Sequence, residues 1–433
     1  MTTDAPIRGH LPASFTGKAV SSLKRLAGLS VLSLLLWSMP ALSAAAGSAP
    51  KDTVPSEKSL SDEEAAQSVE RLRNEYSLFS SDARLRGRLA AAHALVGRRQ
   101  LDRRQFDEAE KSFSHACELE PDHPGYRLGR GTALYGEKRY DDALFELEQA
   151  RLFGGDSALV LYLIGRIHYD TGDLEGALEA WRKALALEPA NAELVALVDK
   201  TGREALSEAA MGKETSSRFT ITYDVSTESR LADEILDILE SAYNQIGSDF
   251  GHYPETRTPV ILYTRQEFRQ TTTGPDWSGG IYDGKIRLPI GGVKKITARI
   301  RGVLFHEYTH VVVRELTKGN CPTWLNEGLA VFEERKEFRP QERKDVRGEL
   351  LPRSVLEGSF LSLGTKEAAL AYQQSYAMVD YLVSVYGLHK IREILLNLGK
   401  GLKVQDAVTQ AFADYGLDYA TVLSEAREHI AHE

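Results

Sequence analysis

Glycines at 97, 131 and 165 recur every 34 residues, and four further columns keep the same spacing. Phe106, Tyr140 and Leu174 form one, Ala109, Ala143 and Ala177 another, and Ala116, Ala150 and Ala184 a third. In the last, Pro121 and Pro189 stand two periods apart with Gly155 midway. This period constrains the fold more than any other feature of the chain. It accommodates two helices and a turn, a unit that cannot bury its apolar face alone, so successive units must stack. The residue types agree. Small Gly and Ala suit close approach of antiparallel helices, larger apolar residues fill the space between units, and Pro or Gly ends the second helix.

The columns resemble the tetratricopeptide repeat, in three copies at about 90–123, 124–157 and 158–191. The third copy fits best, with Leu161, Ile164, Gly165, Ala177, Trp181, Ala184 and Pro189 in place. The first is weaker, because His93 and Gln100 occupy columns that usually hold larger apolar residues. The resemblance implies an all-α solenoid over 61–205, with an acidic helix from Ser61 to Leu78 as a cap. It also implies a protein partner on the concave face, where Tyr135, Tyr162, Arg166 and Tyr169 are the expected contacts. The alternative is that this face packs on the neighbouring domain.

At 433 residues the chain is too long for one ordinary core, so two domains behind a leading segment are expected. Residues 1–46 read as an export signal. Lys24 and Arg25 precede an apolar run from Leu26 to Trp37, then Pro40 and the small residues Ala44, Ala45 and Ala46. The run is shorter than the ~20 residues of a stable membrane span, so a membrane contact is expected only if the segment is retained. The expected destination is the periplasm of a bacterium. Residues 47–60 read as a flexible linker. Residues 1–46 carry a net +3, so removing them takes the chain from −9 to −12, which argues against nucleic acid as a partner. Cys117 and Cys321 are the only cysteines; they fall in different expected domains and are read as unpaired.

Past residue 215 the pattern changes. Arg218 to Tyr223 alternates like a strand, Glu228 to Phe250 reads as a helix, and Thr258 to Tyr263 as a second strand. Gly279 to Leu288 reads as a hairpin turning at Asp283-Gly284, an edge along which an extended peptide could pair. From Lys294 onward the chain is mainly helical, which makes residues 215–433 an α+β domain.

That domain holds His306-Glu307-Tyr308-Thr309-His310, an H-E-x-x-H sequence. Histidines four apart project from one helix face and can bind a single ion. Glu307 would reach the open side as general base, and a zinc ion would lower the pKa of a water toward ~7. Pro322 suits a helix start, and that helix, after a turn at Lys318-Gly319-Asn320, could bring Glu327 in as third ligand.

With Trp324-Leu325-Asn326-Glu327-Gly328-Leu329-Ala330, these residues resemble the gluzincin metallopeptidases, specifically the peptidase-MA-like domains joined to tetratricopeptide repeats in exported bacterial proteins. The resemblance implies one zinc ion per chain on His306, His310 and Glu327, with Glu307 as catalytic base. Tyr372-Gln373-Gln374-Ser375-Tyr376-Ala377 resembles the tyrosine element of the metallo-aminopeptidases, which implies Tyr372 as oxyanion stabiliser, Tyr376 being the alternative. Two departures matter. Gly280-Ile281-Tyr282-Asp283-Gly284 lacks the acidic amine anchor of those enzymes, which favours an endopeptidase acting on peptide or protein substrates. Val331 stands where thermolysin-like enzymes carry an acidic partner for a histidine, leaving Asp380 and Glu334 as candidates for that part. The repeats would then recruit substrate or an adaptor. The rival expectation is a repeat-based scaffold whose metallopeptidase domain is latent.

Overall fold

Helix signals in the first half fall where the 34-residue period needs them. The computed structural model describes residues 61–224, 229–272, 279–339 and 350–432; the expected export signal and linker lie outside these residues. Helix α1 (Asp62–Leu78) starts at Ser61, which forms a reciprocal capping box with Glu64. Three antiparallel pairs follow: α2 (Ala83–Asp102) with α3 (Phe106–Leu119), α4 (Pro124–Gly136) with α5 (Tyr140–Gly154), and α6 (Ala158–Thr171) with α7 (Leu174–Leu187). Helix α8 (Ala192–Glu208) closes the stack. A methyl group added to Gly97, Gly131 or Gly165 would overlap Phe113, Leu147 or Trp181 respectively. Those three residues are themselves 34 apart, so each repeat glycine admits the bulky residue of its own second helix.

The second half is a small mixed sheet followed by helices. Strands β1 (Gly212–Thr215), β2 (Phe219–Tyr223), β3 (Thr258–Leu262), β4 (Ile281–Tyr282) and β5 (Ile286–Leu288) lie in the order β1-β2-β3-β5-β4. Pairs β2/β3 and β3/β5 are parallel, and β1/β2 and β4/β5 antiparallel. Helix α9 (Ser229–Phe250) joins β2 to β3, and α10 (Arg265–Thr271) follows β3. The hairpin turns at Gly284, whose φ of 108° only glycine adopts without strain, and it leaves β4 as an edge. Helices α11 (Ala298–Thr317), α12 (Thr323–Glu337), α13 (Arg353–Leu356), α14 (Thr365–Tyr386), α15 (Leu388–Gly399), α16 (Val404–Ala411) and α17 (Tyr419–His432) complete the domain. Phe219, Ile221, Val260, Leu262, Ile286 and Leu288 of the sheet share one core with Leu304, Phe305, Tyr308 and Val312 of α11. The protein therefore combines an all-α repeat solenoid with an α+β domain.

The concave face corrects one expectation. Tyr135, Tyr162, Arg166 and Tyr169 make contacts within the chain rather than facing solvent for a partner. The Tyr135 hydroxyl donates to Asp170 (2.7 Å), Arg166 pairs with Asp170 (3.3 Å), and the Tyr162 hydroxyl donates to Glu193 of α8 (3.1 Å). Tyr169, 2% exposed, donates to Glu204 of α8 and accepts from Arg287 of β5. Through Tyr169 the inner face of the repeats thus meets both α8 and the peptidase-side hairpin. Cys117 is buried among the repeats and Cys321 sits ahead of α12, both as free thiols. Among the described residues no helix is long and apolar enough to cross a membrane.

Candidate metal centre

Helix α11 begins at Thr297, whose hydroxyl accepts from the Ile300 amide, and stops at Lys318 in left-handed backbone (φ 50°). Gly319 follows at φ 74°, and the Asn320 amide group donates to the carbonyls of Leu398 (3.0 Å) and Leu402 (2.9 Å). This pinned turn reverses the chain, so that α12, entered through Pro322, packs against α11. Full burial of Leu304, Phe305, Val312 and Val313 fixes the rotation of α11 about its axis. His306 and His310 consequently point at α12, with ring centroids 5.0 Å apart.

Glu327 meets them there. Its Oε2 lies 3.7 Å from His306 Nε2 and 3.5 Å from His310 Nε2, and one donor atom from each of the three residues falls within 4.8 Å of the others. Both Nδ1 atoms are occupied elsewhere, His306 by Glu334 Oε2 (3.0 Å) and His310 by Asn326 Oδ1 (3.1 Å). Acceptors at both Nδ1 positions favour protonation there, so that in the neutral rings that would bind a metal the Nε2 lone pairs face Glu327. Glu327 Oε2 is buried and has no hydrogen-bond partner. Two imidazole lone pairs and an orphaned carboxylate oxygen converging in one buried space are a fitting donor set for zinc.

The titration behaviour matches an acid-rich pocket. Burial disfavours the imidazolium of His306, but Glu327 and Glu334 override it and hold the pKa well above the ordinary value. Burial depresses that of His310. Burial also works against the Glu327 carboxylate, yet His310 and His306 keep its pKa below normal. Glu307 is pushed up to about 8, chiefly by burial, and its Oε2 has no hydrogen-bond partner. Gly280, just before β4, lies directly on this carboxylate, so close that an added Cβ would be 2.5 Å from Oε1.

Tyr372 of α14 lies beside these groups. Its ring centroid is 6.4 Å from that of His306 and 5.4 Å from that of Phe360, and burial, with Glu327 and Glu307 adding to it, pushes its hydroxyl pKa far up. Tyr376 lies elsewhere, stacked under the Arg335 guanidinium at 3.8 Å, with burial and then Asp380 raising its hydroxyl pKa. Glu334 is the carboxylate that partners a site histidine. Asn326 and Gly280 have contacts that sequence reasoning had not assigned. The signal for Asn326 was its place beside Glu327; for Glu334, a position two helical turns beyond Glu327 on the same face.

The fold and this centre define a peptidase-like enzyme built behind a repeat solenoid. Residues 245–431 match the Peptidase MA superfamily, and residues 96–158 and 158–191 match tetratricopeptide repeats. A stretch of 92 residues is 36% identical to the Hsp70-Hsp90 organizing protein of Triticum aestivum, covering 21% of this chain and 16% of that protein. The chain is a tetratricopeptide-repeat protein with a C-terminal domain of the Peptidase MA superfamily.

Proposed function

We propose that this protein is an exported zinc-dependent endopeptidase, and that the repeat domain contributes to recruiting what it cuts. The observation that carries the reading is the convergence of His306, His310 and Glu327, with Glu307 and Tyr372 at its border. One zinc ion per chain held by those three residues would supply Lewis acidity, acidifying a water and polarising a peptide carbonyl.

The chain's own groups then divide the work. Glu307 takes a proton from the attacking water and delivers it to the departing amine. Its burial favours a carboxyl that can hold a proton near neutral pH. The Tyr372 hydroxyl donates to the carbonyl oxygen as negative charge develops on it. Glu334 and Asn326 hold the two imidazoles in orientation.

Endopeptidase action is supported by the state of Asp283, the one acidic residue on the hairpin. It is engaged by Lys200 and Arg287 and is therefore not free to bind a substrate's terminal amine. Export rests on the basic and apolar pattern of residues 1–46, with the periplasm as the proposed compartment. The test measures zinc content and peptide hydrolysis in the wild type and in Glu307→Gln. We expect one zinc per chain in both and hydrolysis in the wild type alone. A zinc-free protein, or hydrolysis that survives the substitution, would overturn the reading.

A further inference from the structure

Among the described residues, Arg287 is the bulkiest charged side chain that is fully buried, and the metal centre does not use it. It lies on β5, but its guanidinium is largely received by the other domain. Nη2 donates to the Tyr169 hydroxyl (2.7 Å) and pairs with Glu204 (3.1 Å). Nη1 donates to the Tyr263 hydroxyl (2.8 Å) and lies 3.6 Å from Glu208, while Nε meets Asp283 at 3.2 Å. Lys285, 2% exposed, sits over the Tyr169 ring at 4.3 Å, and Lys200 of α8 pairs with Asp283. Three cations thus face three carboxylates (Glu204, Glu208 and Asp283) between the domains.

Stability alone does not account for such a cluster. Well-packed apolar side chains usually do as well as, or better than, buried ion pairs. What a planar, five-donor guanidinium supplies is one defined geometry. That geometry reaches the candidate site in two residues. Arg287 is the ladder partner of Ile281, and the preceding residue, Gly280, rests on the Glu307 carboxylate.

A second grip acts on α11. Arg104 and Lys138 occupy equivalent turns of the first two repeats, both in left-handed backbone (φ 58° and 59°); the third repeat has Gly172 there. This conformation costs a non-glycine residue about 1 kcal/mol. Arg104 donates to the Lys318 carbonyl at the end of α11, and Lys138 pairs with Glu315 in its last turn. A cation at a helix C-terminus is favoured by the helix dipole.

We propose that the tetratricopeptide domain is a positioning element of the peptidase: the Arg287–Tyr169–Glu204 cluster sets β4 against Glu307, and Arg104 and Lys138 set the helix that carries the histidines. The proposal rests on Glu307 being the general base. The repeat face expected to take a foreign peptide instead contacts the chain's own hairpin.

The test uses the full chain with Tyr169→Phe, which removes one hydroxyl from the repeat domain and keeps its ring, and Glu204→Gln as a second variant. Zinc content, amide hydrogen exchange across 279–288, and kcat and KM for peptide hydrolysis are compared with the wild type. We expect unchanged zinc, exchange of the hairpin amides faster by about tenfold, and kcat lower by about tenfold to a hundredfold with KM within about threefold. Unchanged hairpin exchange overturns the proposal, as does faster exchange with unaltered kcat. If the wild type hydrolyses no peptide, the proposed activity fails separately. The positioning claim is then decided by the Kd of a peptide hydroxamate for the zinc-loaded protein: about tenfold weaker binding in Tyr169→Phe supports it, and equal binding overturns it.

Discussion

Gly280→Ala is the smallest substitution that should disable the proposed reaction while leaving the metal ligands untouched. The new Cβ would lie 2.5 Å from Oε1, 2.8 Å from Cδ and 2.9 Å from Cγ of Glu307. Carbon atoms settle at about 3.5–4.0 Å from their neighbours, so roughly 1 Å of separation must be found. The backbone of α11 cannot supply it, because the flanking Phe305 and Tyr308 are 0% and 1% exposed and packed in the core. The hairpin is equally constrained by the buried contacts of Arg287. Relief must come from rotation of the Glu307 side chain, which carries the carboxylate away from its working place.

A displacement of about 1 Å in a catalytic group costs on the order of a hundredfold in rate, equivalent to about 2.7 kcal/mol. The overpacking itself should lower stability by about 1–3 kcal/mol. The assay compares kcat, KM, zinc content and thermal stability of wild type, Gly280→Ala and Gly279→Ala. Gly279 is the control: it is exposed, and its Cβ would meet nothing closer than Val303 at 3.4 Å, so wild-type kinetics are expected. A Gly280→Ala enzyme with kcat within about threefold of wild type would refute the assignment of Glu307 to a position fixed by the strand. Loss of zinc along with activity would refute it too, since the substitution would then have disturbed the metal centre rather than the base.

Three further outcomes follow from the same geometry. Glu334→Ala should weaken zinc binding by about tenfold to a hundredfold in a chelator competition, because His306 loses its orienting acceptor at 3.0 Å; unchanged affinity would exclude that role. Tyr372→Phe should lower kcat by about a hundredfold or more with little change in KM, whereas Tyr376→Phe, whose ring lies on Arg335, should stay within about threefold. His93, 6% exposed in the first repeat, has its pKa pushed down to about 4 mainly by burial, with His115 and Arg73 adding to the effect. The unfolded chain therefore takes up this proton first. The stability contributed by neutral His93 is full above about pH 6.5 and is lost as pH falls from there to about 4, an effect on the order of 3 kcal/mol. Equal pH dependence of melting in wild type and His93→Leu would contradict it.

The parts of the molecule legible in the sequence are those whose constraints are local or periodic. Gly97, Gly131 and Gly165 announce close helix contacts because such a contact leaves no room for a side chain, and the period of 34 repeats the demand. His306 and His310 can be placed together because one helical turn separates them. Glu327 follows because a helix beginning at Pro322 can turn it toward them. Gly280 against Glu307 joins a strand to a helix across a loop, and no spacing rule specifies that contact. The face of Arg287 was equally hidden. In Ile286-Arg287-Leu288 the alternation reads as polar side outward, and the side is indeed away from the sheet's apolar core; it is the repeat domain that covers it.

The covering domain did leave a trace in the sequence. The turn column of the repeats holds Arg104, Lys138 and Gly172, and only the glycine suits the left-handed backbone that all three adopt. A repeat free of other demands would favour glycine or asparagine at each turn, since each cation there costs about 1 kcal/mol. The two strained positions are the two whose side chains reach α11, Arg104 at the Lys318 carbonyl and Lys138 at Glu315, and Gly172 has no such contact to make. Tyr135, Arg166 and Tyr169 carry the same information in another form. Tyrosine and arginine in a hollow suit an extended peptide, but they suit a polar hairpin equally well, and Arg287 and Asp283 are the charges that such a hollow can satisfy. Residues that look like a partner-binding surface, combined with locally unfavourable turns on the same side, therefore indicate a partner inside the chain.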